Sequence, residues 1–144
     1  MENNLKGKKS VTWTFIAKDD DAVEAMKAWF EGHYSFMREK CHKEGKLKLI
    51  SYYISEGPEY FGNSLPPLST EDKQEFEKWF EGNHPKKTGN HIFILNEIYE
   101  SEDGLHHHYI ESAPFVESTY ELFKSYNIEC RQDNQLNVIQ NINY

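Results

Sequence analysis

Cysteine is scarce in this chain: only Cys41 and Cys130 occur in 144 residues. They form no CxxC pair and no zinc spacing, so nothing points to a disulfide scaffold or a structural zinc knuckle. Two free thiols in a reducing compartment is the plain reading. Basic charge is short as well, with 16 Lys and Arg against 24 Asp and Glu, a net charge of −8. A nucleic-acid binder needs a basic face, and so does a protein drawn to an anionic membrane surface, so both partner classes are disfavoured. No apolar run is long enough to span a bilayer. The polar start Met1–Ser10, with Lys6, Lys8 and Lys9, leads into no apolar stretch of signal-peptide type. A cytoplasmic protein is expected. The chain also lacks GxGxxG, GxxxxGK[ST] and GxSxG, which removes the dinucleotide, P-loop and nucleophile-elbow readings.

Aromatics are plentiful at 15%, within a hydrophobic share of 38%. Large rings carry much of the burial in a domain of this size, and 144 residues suffice for one real core. We therefore read residues 1–144 as a single domain.

Val11–Ala17 alternates β-branched and aromatic residues, with Val11, Trp13 and Phe15 on one face, and predicts a strand. Asp19–Asp21 places carboxylates at a helix start. The recurrence of Val23, Met26, Phe30, His33, Tyr34, Met37 and Cys41 then predicts an amphipathic helix running towards Gly45. Lys46–Glu56 is a second strand. Gly57–Pro85 is rich in turn formers but holds a capping box, Ser69 with Asp72, ahead of Phe76, Trp79 and Phe80. Residues 57–90 thus read as a loop plus a short helix inserted between two halves, with Tyr60, Phe61 and Leu65 suited to closing over a pocket. His91–Tyr99 is apolar on both faces and predicts a central strand. Asp103–Glu111 predicts a short helix, Ser112-Ala113-Pro114 a break, and Phe115, Thr119, Leu122, Phe123 and Tyr126 the stripe of another helix. Leu136–Ile142 is expected as the last strand.

That order is a split β-α-β arrangement: α+β, ferredoxin-like, with a four-stranded antiparallel sheet and helices on one face. The other face is apolar enough to need a cover, and a second copy of the chain supplies it most simply.

His106, His107 and His108 first suggest metal. Neighbours on a helix diverge by about 100°, so three in a row cannot converge on one ion, and no native metal site is expected there. His108 is the better candidate for chemistry, as a proton acceptor at a pocket mouth, with Glu97 at the end of a strand as its orienting group. Trp13, Phe93, Tyr99 and Phe115 are candidate walls of that pocket.

The run Asn96-Glu97-Ile98-Tyr99-Glu100-Ser101-Glu102-Asp103-Gly104-Leu105-His106-His107-His108, followed by Ser112-Ala113-Pro114-Phe115, resembles the antibiotic-biosynthesis monooxygenase family of dimeric α+β barrels. There a strand ending in Glu-x-aromatic meets an acidic turn, a Leu with a His three residues on, and a Pro-Phe break. The resemblance implies a homodimer with back-to-back sheets and a pocket between each sheet and its own helices. It further implies oxidation of a small aromatic or quinol-type molecule by O2 without a cofactor. Haem-degrading members carry an Asn on the first strand, where this chain has Thr12 and Thr14. The alternative is a non-catalytic protein of the same fold that binds a small molecule or a partner.

Overall fold

A computed structural model describes residues 4–62 and 69–143. In β1 (Lys9–Ala17) the alternation seats Val11, Phe15 and Ala17 on a buried face. β3 (Lys87–Tyr99) does the same with Phe93, Leu95, Glu97 and Tyr99. The two pair antiparallel, placing Phe15 opposite Phe93, Trp13 opposite Leu95, and Val11 opposite Glu97. A carboxyl group therefore sits in the middle of the apolar face. β2 (Leu49–Tyr60) flanks β3, with Tyr52 opposite Glu97, and β4 (Glu129–Asn137) flanks β1, with Gln132 opposite Trp13. The sheet order is β2-β3-β1-β4, with every pairing antiparallel.

α1 (Asp20–Lys40) is capped by Asp19, whose carboxylate accepts the Ala22 amide at 2.8 Å, while Asp20 and Asp21 complement the helix dipole. It stops at Lys40, short of Gly45, because the Cys41 amide makes the last bond to the Met37 carbonyl and the chain then turns extended. A second helix, α2 (Thr70–Phe80), follows β2 and is capped by Ser69. α3 (Glu102–Ser112) is capped by Ser101, and Ala113–Phe115 forms a 3-10 turn leading into α4 (Val116–Ser125). The Met26 and Phe30 side chains of α1 and Phe123 of α4 close over Phe15, Phe93 and Leu95 in the main core. A second cluster joins Val11, Met37, Tyr99 and Leu105. Each large side chain so buried contributes about 1.5–3 kcal/mol. α1, α3 and α4 thus share one face of the sheet. On the other face Thr12, Thr14, Ile16, Ile92, Ile94 and Ile98 are only half-buried and belong to neither cluster.

Strand boundaries also differ from the sequence reading, and β2 starts at Leu49 rather than Lys46. The last strand is Glu129–Asn137, not Leu136–Ile142. An edge strand exposed on most of its positions has no need of alternating apolar residues, so Arg131, Asp133 and Gln135 carry no pattern to find. Gly57–Tyr60 belongs to β2, and β3 begins at Lys87, so the ends of the insertion form an extended hairpin rather than a loop. Pro58 is tolerated because β2 is an edge strand and its register slips between Pro58 and Tyr60. α2 packs at this far end, with Trp79 edge-on to Tyr60 at 5.2 Å. Leu65 lies outside the described residues. No helix among them is long and apolar enough to cross a membrane.

Candidate functional site

A cavity of about 700 Å³ opens between the sheet and the helices. Its walls come from Trp13 and Leu95 on the sheet, Trp29 and Phe36 on α1, and Tyr109 and Phe115 at the α3–α4 break. Phe115 and Tyr120 stand more than half exposed at its edge, so the cavity meets solvent there. Volume and lining are those of a small-molecule pocket.

Its floor is polar. Glu97 reaches it from β3, His108 from α3 and His33 from α1. Glu97 is 2% exposed and His108 7% exposed, and His108 Nε2 lies 3.7 Å from Glu97 Oε1. One potential ligand atom from each of the three residues falls within 4.8 Å of the others. Local packing explains the convergence. His33 stacks on the Trp29 indole, 4.9 Å between centroids at 11°, and meets the Tyr52 hydroxyl through Nδ1 at 3.0 Å. Phe36 packs edge-on to His108 at 5.9 Å. α3 sits tightly on the chain before β2: a Cβ at Gly104 would meet the Leu47 carbonyl oxygen at 3.1 Å. That close approach holds His108 over Glu97.

Burial removes charge from this floor. Desolvation raises the Glu97 carboxyl to about 8, against the opposing pull of a long Tyr99 hydroxyl hydrogen bond at 3.5 Å. It lowers His108 to about 4, with the His107 charge adding to the effect. His33 falls to about 3, through burial first and His108 second. The 3.7 Å separation would suit an ion pair, but burial drives both partners towards neutrality, so the pair is a carboxylic acid beside an uncharged imidazole. Tyr52, Tyr99 and Tyr109 are all raised, by burial and then by Glu97, and keep their phenolic protons. Such a floor offers acceptors and donors to a neutral polar group without presenting a fixed charge.

Of the residues singled out from the sequence, Glu97, His108, Trp13 and Phe115 all line the cavity. Phe93 does not; it is fully buried in the main core against Phe30. Tyr99 sits beneath the cavity, in the second cluster, and meets two of its lining residues, Glu97 and His108. No described residue of 57–85 lines the cavity, so that part of the insertion does not cover it. His106 and His107 point elsewhere, towards Glu102 and Glu111 at 3.7 Å each. His33 escapes a reading of the sequence because it occupies one slot in the apolar stripe of α1, where a histidine looks like packing. Its one signal is a titratable ring between Trp29 and Phe36 in that stripe.

No family model and no curated protein matches the chain. Solved structures similar to it include an amidohydrolase/peptidase-like protein from Burkholderia cenocepacia and a hydantoinase/carbamoylase family amidase from Burkholderia ambifaria. The first gives a TM-score of 0.42 at 7% identity over 92% of this chain and 29% of that one. The second gives 0.40 at 7% identity over 94% of this chain and 29% of that one. This chain thus spans less than a third of either. A likeness of that degree carries no argument about fold or activity.

Proposed function

We propose that the cavity binds a small aromatic molecule of the phenol or quinol class and promotes its oxidation by O2. The observation that supports this most is the placement of Glu97, His33 and His108 on the floor of an aromatic-walled cavity. The rings of Trp29, Phe36 and Phe115 suit a flat apolar body. The uncharged floor suits its hydroxyl: an imidazole accepts its proton, a step made uphill by the burial that lowers His108 to about 4. The protonated Glu97 offsets part of that cost by donating a hydrogen bond to the oxygen left behind. The resulting anion is electron-rich and gives electrons to O2. For a phenol with a free ring C–H the reaction balances with a single molecule of O2, yielding a quinone and one water. One oxygen atom becomes the new carbonyl, and the other leaves as water with the hydroxyl proton and the hydrogen of the oxidised ring carbon. The oxidant is O2 because residues 96–115 resemble the cofactor-free monooxygenases.

In this reading the sheet order is that of a ferredoxin-like unit, and two copies pair through the half-buried face of Ile92, Ile94 and Ile98. The test is oxygen uptake with anthrone- or naphthol-type phenols by the wild type and by His108→Ala. The variant should lose activity by roughly 10²–10⁴-fold. Equal rates would remove His108 from the reaction.

A non-catalytic binding protein is the second reading. The 4.8 Å spread of the floor groups, wider than hydrogen bonds, favours it, since a base in action stands closer to its partner. Saturable binding of a naphthol with no oxygen uptake would decide for it.

A further inference from the structure

We infer that His33, Glu97 and His108 form a site for one divalent first-row transition metal ion. The sequence gives no hint of it, since the three residues are far apart in the chain and the conspicuous histidine run points away. The inference rests on the reading of the cavity as the reaction site, and it deepens that reading: the ion would receive the substrate's oxygen and acidify it in place of a bare imidazole.

The donor set is two imidazoles and one carboxylate, the combination that suits such ions and leaves coordination positions open. The three residues stand on α1, β3 and α3, so the site is framed by three rigid elements rather than by a loop. All three also line the cavity, which would leave the open positions facing incoming ligands. Ligand atoms now within 4.8 Å of one another would draw in to about 3.0–3.5 Å around an ion at about 2.0–2.2 Å from each. With the His33 ring held by Tyr52 and Trp29, the Glu97 and His108 side chains would have to shift to cover that difference.

Two further observations point the same way. The polar groups here are under-satisfied: His108 Nδ1 is buried with no hydrogen-bond partner among the described residues, and its Nε2 stands beyond hydrogen-bonding distance of Glu97. Glu97 itself has one long hydrogen bond, from Tyr99 at 3.5 Å. Buried polar atoms usually find a partner, a water or an ion. Trp13 Nε1 and His91 Nε2 share the condition, and only at His108 does it coincide with a second imidazole and a carboxylate. His33 also has the outer support that metal-bound histidines show. Its Nδ1 meets the Tyr52 hydroxyl at 3.0 Å, which fixes the ring and leaves Nε2 free to coordinate.

The test is cobalt(II) titration of chelator-stripped protein, followed by visible absorption and by metal analysis after gel filtration. Glu97→Gln keeps the shape of the neutral acid and so preserves the fold, which circular dichroism checks; His33→Gln is the second variant. A double variant, His106→Ala with His107→Ala, controls for adventitious surface binding. One cobalt per wild-type chain is expected, with affinity reduced at least tenfold in Glu97→Gln and in His33→Gln and unchanged in the double variant. Absence of bound cobalt, or loss of binding in the double variant alone, overturns the site. Naphthol binding to the stripped protein is measured alongside. If it persists while cobalt fails to bind, the metal site falls and the cavity reading stands; if both fail, both fall.

Discussion

Glu97 and His108 face each other at 3.7 Å, one from the middle strand of the sheet and one from the helix above it, both nearly sealed from solvent. Among the described residues neither has a strong hydrogen bond to offset its burial.

The pair makes stability depend on pH in the metal-free protein. The folded Glu97 carboxyl, raised to about 8, keeps its proton where the unfolded one, with an ordinary value of 4.5, has lost it. The folded state therefore binds more protons between those values, and stability falls as pH rises through that window. His108 and His33, lowered to about 4 and about 3, act oppositely: the unfolded state takes up their protons as pH falls below 6.5, so stability is lost on acidification. Between pH 6.5 and 8 the histidine effect fades and the Glu97 effect takes over. Urea midpoints of chelated wild type should fall over that range, and those of Glu97→Gln should fall less.

Phe15 is fully buried where Trp29, Phe30 and Phe123 meet. Phe15→Ala should cost about 3–5 kcal/mol in denaturant unfolding, the usual loss for a core phenylalanine.

Gly104 matters for position rather than for backbone freedom. A methyl group there meets the Leu47 backbone at 3.1–3.2 Å, so Gly104→Ala should lift α3 and carry His108 away from Glu97. Thermal unfolding should show a loss of about 1–3 kcal/mol, and naphthol affinity should fall with it.

The half-buried isoleucine face predicts pairing. Light scattering should give a mass of twice 17.0 kDa for the wild type and 17.0 kDa for Ile94→Asp. A wild-type mass of 17.0 kDa would remove the dimer.

The middle strands and the first helix are legible because their residues face one core and must alternate with a fixed period. Edge strands obey no such constraint, which is why the sequence pattern places β4 several residues late and makes the end of β2 look like loop. At the site, the strand-end glutamate and the third histidine of the run carry a local signature. His33 does not, because its role comes from three elements folding together. Phe93 looks like a cavity wall and is core, since the strand pattern gives the face of a residue but not its depth along the strand.

The central claim, that the cavity takes an aromatic molecule, is tested most directly by fluorescence. Trp13 and Trp29 line the cavity, while Trp79 packs on Tyr60 at its remote end of the sheet, so Trp79→Phe leaves two reporters at the site. Gly32 also lines the cavity and a Cβ there meets nothing within 4 Å, so Gly32→Phe fills the space without a clash at the backbone. Titration with a naphthol should quench Trp79→Phe saturably at one site per chain and leave the protein carrying both substitutions unquenched. Equal quenching of the two proteins, or none in either, would contradict the account.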